Sequence, residues 1–197
     1  NIAAAGINFG GGTSNCLIHD NEIFNIAAAN STAITNIIAA GISHASATSS
    51  KIYANKIYNI SNSGVGTTVA TPPCISGIIV RSGTTDLSIY NNMISLGGTS
   101  NSTLIGIWSN GGSTPNPLTN IYHNTVYIDG TVTSGALFTF GFLRGDLSTT
   151  ARTQTVDIRN NIFVNNRTGG TGQHFAISNN YNATTPSATG WAANASN

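Results

Sequence analysis

Residues 88–96 read SIYNNMISL, and the pattern recurs as LIHDNEIFNI at 17–26, KIYANKIYNI at 51–60, NIYHNTVYI at 120–128 and DIRNNIFVN at 157–165 of the 197-residue chain. In each copy an Ile (Ile18, Ile52, Ile89, Ile121, Ile158) stands three residues before an Asn (Asn21, Asn55, Asn92, Asn124, Asn161). Another apolar residue (Ile23, Ile57, Ile94, Val126, Phe163) stands two after that Asn. A weaker sixth copy, Ile177 with Asn180, lacks this last element. The Asn positions 21, 55, 92, 124 and 161 are separated by 34, 37, 32 and 37 residues. Self-similarity at such a period is the mark of a repeat architecture.

A second landmark interleaves with the first. Gly6-Ile7, Gly41-Ile42, Gly77-Ile78, Gly106-Ile107 and Gly141-Phe142 fall between the Asn blocks, with Ala176-Ile177 as a degraded copy. Turn-rich stretches such as SNSGVGTTVATPP from Ser61 and SNGGSTPNP from Ser109 absorb the variation in repeat length. The short segments alternate apolar and polar residues and favour Ile, Val and Tyr, which is strand chemistry; no apolar set recurs at helical spacing. Strands with a fixed period and no helices predict an all-β right-handed parallel β-helix of about five to six coils. Equivalent residues then stack about 4.8 Å apart, Ile over Ile as the core and Asn over Asn at a bend, where Asn tolerates left-handed backbone and passes amide hydrogen bonds up the stack.

The composition agrees. The 26 Asn, 26 Thr, 22 Gly and 21 Ser write the surface in uncharged polar groups, only 7% of residues are charged, and 40% are hydrophobic. Low charge disfavours an α-rich enzyme, and the apolar content argues against disorder. Seven scattered Lys and Arg residues and a net charge of +1 offer no basic cluster, so neither nucleic acid nor an anionic membrane surface is an expected partner. No apolar run reaches membrane-spanning length, so no membrane insertion is expected. Cys16 and Cys74 sit in different registers, about two coils apart, and are expected to be unbonded. The whole of 1–197 reads as one domain, with 181–197 as a tail in which Trp191 is the apolar anchor. Neither end carries a cap pattern, which predicts a piece of a longer solenoid or copies that associate end to end.

Ile-x-Asn-Asn-x-Ile and Gly-Ile together resemble the right-handed parallel β-helix repeat of the pectin-lyase-like superfamily, over residues from about 6 to 180. IYNNMISLGG, IYHNTVYIDG and IRNNIFVN are similar to repeat regions in large secreted or surface proteins of gram-negative bacteria. The resemblance implies a secreted, cell-surface or extracellular location. It also implies a choice among functions, since the fold hosts lyases, hydrolases, adhesins and tailspikes.

No catalytic or metal site, and no cofactor, is expected. Six acids occupy unrelated registers; Asp20 and Glu22 share a coil but make too few oxygens for a Ca²⁺ cage. The superfamily's Asn-Thr-Asp, Asp-Asp and Gly-His-Gly motifs are absent. His19, His44, His123 and His174 also fall in different registers. The residues thus argue against an enzyme without excluding one.

Two before the repeat Asn runs the column His19, Tyr53, Tyr90, Tyr122 and Arg159, facing outward. Tyr53, Tyr90 and Tyr122, with Trp108 on another face, are the candidate carbohydrate-binding residues; the plainer reading is a column that stacks on itself and stabilises the solenoid. Asn21, Asn55, Asn92, Asn124 and Asn161 are the expected structural ladder. The favoured function is an extracellular structural or surface module, self-assembling end to end into filaments or joined to flanking repeats. A polysaccharide-binding or adhesive module comes second, and a polysaccharide lyase or hydrolase third.

Overall fold

The structure, a computed structural model, describes residues 2–11, 15–29, 38–45, 49–63, 73–81, 86–110, 118–145 and 155–179. Among them there are strands and turns and no helix. The tail at 181–197, Trp191 and Asn180 lie outside the described residues.

Most strands stack in three parallel sheets that the chain visits in turn; two short parallel pairs, Ile26–Ala28 with Ile60–Asn62 and Thr131–Val132 with Thr168–Gly169, lie outside them. The first sheet contains Ile2–Gly10, Ile38–Ala45, Cys74–Val80, Thr103–Ser109, Thr139–Arg144 and His174–Asn179, in that order. The second contains Cys16–His19, Ser50–Tyr53, Leu87–Tyr90, Leu118–Tyr122 and Thr155–Arg159. The third contains Glu22–Ile23, Lys56–Tyr58, Met93–Leu96, Thr125–Ile128 and Ile162–Asn165. Pairing follows the repeat residue by residue: Ile89 is opposite Ile52 on one side and Ile121 on the other, and Ile94 is opposite Ile57 and Val126. The fold is therefore a parallel β-solenoid of about four turns. The expectation of five to six coils counts strands. Five strands in the second and third sheets make four steps, and the degraded sixth repeat supplies a strand to the first sheet alone.

Inside, Ile52, Ile89 and Ile121 are fully buried, Ile18 nearly so, and Ile158 partly packed against the same core. Facing them are Ile42, Ile78, Ile107 and Phe142 of the first sheet. The first sheet is buried on its other face as well, in a second apolar layer of Ile38, Ala40, Cys74, Ile79, Ile105, Trp108, Phe140 and Leu143. A strand buried on both faces reads as a continuous apolar run.

Along that sheet the glycines break the alternation. Ile75 and Ile78 both face the inner core, as do Leu104 and Ile107, so the pleat slips at Gly77 and Gly106. A side chain at Gly77 would run into Ile94 of the third sheet and come within 2.6 Å of the Gly106 carbonyl. The two landmarks of the repeat are thus one contact: the apolar residue after each Asn packs where the glycine leaves room.

The turn between the second and third sheets carries the Asn ladder. The Nδ2 of Asn21 donates to Oδ1 of Asn55 at 2.8 Å, and Asn55 to Asn92, Asn92 to Asn124 and Asn124 to Asn161 at 2.9 Å each. The same oxygens accept the backbone N–H of the preceding Asn at 2.8–3.2 Å. Asn92 Nδ2 also reaches the carbonyls of Tyr90 at 3.1 Å and of Ile52, one coil back, at 3.0 Å. An oxygen facing two donors and a nitrogen facing three oxygens allow one orientation of the amide, so the ladder has a direction.

Contrary to expectation, the left-handed residue is the one before the ladder Asn. Asp20, Ala54, Asn91, His123 and Asn160 all have φ of 54–55°. The ladder Asn itself does not have positive φ, so the left-handed step of the turn falls on its neighbour. Four of the five are polar residues that tolerate or favour this conformation; Ala54 is not.

Replacing Ala54 by Asn should raise stability by about 1 kcal/mol, and Asn91→Ala should lower it by a similar amount, measured by chemical denaturation. Asn92→Ala leaves the buried Asn55 backbone N–H without its acceptor and removes the side-chain donor to the Ile52 carbonyl, and should cost about 2–4 kcal/mol. Asn21→Ala, at the partly exposed first rung, should cost under about 1 kcal/mol; equal losses at the two rungs would contradict a directional, buried ladder.

Candidate functional site

On the outward face of the second sheet, one strand spacing brings successive side chains of the column into stacking range. His19 and Tyr53 stack with centroids 4.6 Å apart and planes 7° from parallel, and Tyr53 and Tyr90 stack at 4.9 Å and 0°. At the other end the Arg159 guanidinium lies 5.8 Å from the Tyr122 ring centroid. Tyr122 donates to Asp157 Oδ2 at 2.7 Å, and Arg159 Nε donates to Asp157 Oδ1 at 2.8 Å. Burial alone would raise the Asp157 pKa, but Arg159 and the Tyr122 hydroxyl together hold it below the usual carboxylate value.

Stacking has a chemical consequence. Both faces of Tyr53 are covered, by His19 and by Tyr90, so Tyr53 offers solvent an edge and a hydroxyl, whereas a sugar ring packs on an aromatic face. Trp108 is 3% exposed and its indole N–H donates to the Gly145 carbonyl at 2.6 Å, which places it in the apolar layer of the first sheet and away from the Tyr column.

Asp20 and Glu22 are engaged as well. Asp20 pairs with its neighbour His19 at 2.7 Å, while Glu22, on the third sheet, accepts from Lys56 at 3.0 Å and Tyr58 at 2.9 Å. Lys56 and Tyr58 keep Glu22 below its ordinary pKa, so it stays ionised. Among the described residues, no three His, Cys, Asp or Glu side chains gather where they could hold a metal ion. Cys16 and Cys74 are free thiols, and burial pushes Cys74 far above its ordinary pKa.

The third sheet holds what the sequence analysis passed over. Three residues after each ladder Asn runs a second outward column: Phe24, Tyr58, Ser95, Tyr127 and Val164. Phe24 and Tyr58 stack at 5.3 Å, with planes 6° apart. Above them the column lacks a ring, because Ser95 stands opposite both Tyr58 and Tyr127. A cleft of about 450 Å³ opens there, lined by Tyr58, Ser95, Tyr127, Met93, Lys56 and Thr125 over a floor that includes Ile57 and Ile94. Met93 is 60% exposed on its wall. The signal was in the same alignment, one column further along.

Two buried cations or would-be cations remain. Arg167, 4% exposed, donates to the carbonyls of Gly98, Ser100 and Asp129, tying together the ends of three coils. His44 is fully buried, stacks on Phe9 at 5.5 Å, and among the described residues has no hydrogen-bond partner at either ring nitrogen. Desolvation lowers its pKa to about 4. The folded form thus binds its proton less well than the unfolded chain, where His titrates near 6.5. Its contribution is fully present above about pH 6.5 and is lost as pH falls toward 4. Stability should drop by about 3 kcal/mol between pH 7 and pH 4 from this residue, and His44→Phe should remove that slope in urea titrations at the two pH values.

Comparison of the chain with known proteins finds no matching family model, no similar curated protein and no similar solved structure, so the functional reading rests on the geometry above.

Proposed function

We propose that this chain is a structural β-solenoid module of an extracellular surface or matrix, a stiff and charge-poor rod that extends coil upon coil. The observation that carries the reading is the directional amide ladder. Among the described residues, Asn21 Oδ1 accepts no bond at one end, and the Asn161 backbone N–H, whose counterparts at Asn21, Asn55, Asn92 and Asn124 all donate to the next rung, donates to none at the other. One further Asn-bearing coil at each end satisfies both groups. In this reading a second copy of the chain, or flanking repeats, would supply that coil.

The edges of the first sheet repeat the same invitation. Ile2–Gly10 and His174–Asn179 each pair with one strand only among the described strands. Strand addition at such edges is a general mode of β-assembly, and a head-to-tail contact of identical rods does not close, so it produces fibres. A chain with 7% charged residues puts little repulsion between copies. The extracellular location is part of this proposal and rests only on the resemblance carried by the repeat motif.

Electron microscopy and light scattering of the purified chain should show rods that lengthen with protein concentration at constant width. Asn161→Pro, which removes the terminal N–H, should shorten them. A monodisperse single rod at all concentrations would refute self-association.

A further inference from the structure

The cleft over Ser95 belongs to none of the structural contacts above. We propose that it is a binding site for one neutral hexopyranose ring of a glycan, seated between Tyr58 and Tyr127 as the missing rung of the third sheet's aromatic column.

The spacing sets what fits. Ser95 pairs with Tyr58 on one side and Tyr127 on the other, so the two tyrosines are two strand spacings apart, about 9.6 Å. A ring midway between them lies about 4.8 Å from each, close to the 4.6, 4.9 and 5.3 Å at which rings of this protein already stack one coil apart. Tyr58 has one face on Phe24 and the other toward Ser95. Its hydroxyl and the Lys56 ammonium both bond to Glu22 of the preceding coil, with Lys56 Nζ held 5.1 Å from the Tyr58 ring centroid at the edge of the slot.

The surrounding groups select the chemistry. Tyrosine faces favour the C–H side of a sugar ring, and the Met93 side chain adds an apolar wall. At the rim, Ser95 Oγ and Thr125 Oγ1 have no hydrogen-bond partner among the described residues, and suit a ligand edged with hydroxyls better than a bare aromatic ring. Lys56 is neutralised by Glu22 at 3.0 Å, so the slot has no net charge to attract an acidic sugar. The open outer side lets the ring be one unit of a longer chain.

Saturation-transfer NMR with methyl β-glucopyranoside, methyl β-galactopyranoside and methyl α-mannopyranoside tests the site directly, with phenol as a flat-ring control. At least one glycoside should receive magnetisation at its ring C–H protons. Ser95→Tyr fills the slot by completing the column; it should abolish that signal at least tenfold while raising Tm. Tyr127→Ala, at an exposed position, should weaken it without unfolding the protein. Transfer to none of the glycosides, transfer to phenol alone, or a glycoside signal unchanged in both variants would each overturn the assignment.

Discussion

Everything in this fold is hung on the amide of one Asn per coil. It accepts from the coil before, donates to the coil after, and satisfies the carbonyl two residues back in its own turn. A buried amide with all its bonds made is specific in a way an Ile stack is not, since an Ile column tolerates sliding and an amide column does not. The ladder therefore sets register: once Asn92 is over Asn124, Ile89 must be over Ile121 and Ile94 over Val126. Loops between coils vary in length without disturbing this, which is why steps of 32 and 37 residues coexist in one stack.

Polarity follows from the same group. Parallel sheets alone would allow coils to be added with modest directional preference, but an amide column has a donor end and an acceptor end. Among the described residues the acceptor end is Asn21 and the donor end is Asn161, so the column points one way along the whole stack.

The architecture was legible because a solenoid writes its contacts at a fixed period: the inward Ile columns, the ladder and the aromatic column of the second sheet all follow from aligning five short segments. What alignment did not reveal falls into two kinds. The left-handed residue was misplaced by one because its identity varies, Asp, Ala, Asn, His and Asn, and backbone conformation leaves no single residue type behind. The depth of Trp108 was missed because the first sheet is buried on both faces, and alternation cannot report a second apolar layer when both sets of positions are apolar. The candidate site was hidden for the opposite reason: its defining feature is the residue that breaks a column, and Ser95 looks like any polar strand residue until the tyrosines above and below are placed.

Inward and outward columns differ in what a break does to them. Within the core, a small residue in place of Ile leaves a void that must be filled or paid in lost contacts, so the inward columns run almost unbroken from Ile18 to Ile121. On the outer face the same break costs little, because solvent fills it, and what remains is a slot with flat walls one coil above and one coil below. The depth of such a slot is set by the strand spacing and its chemistry by the column that was interrupted. A solenoid can thus acquire a ring-binding site by a single large-to-small change in an aromatic column without disturbing register, since the amide ladder, in the turn three residues before the column, keeps the coils in place.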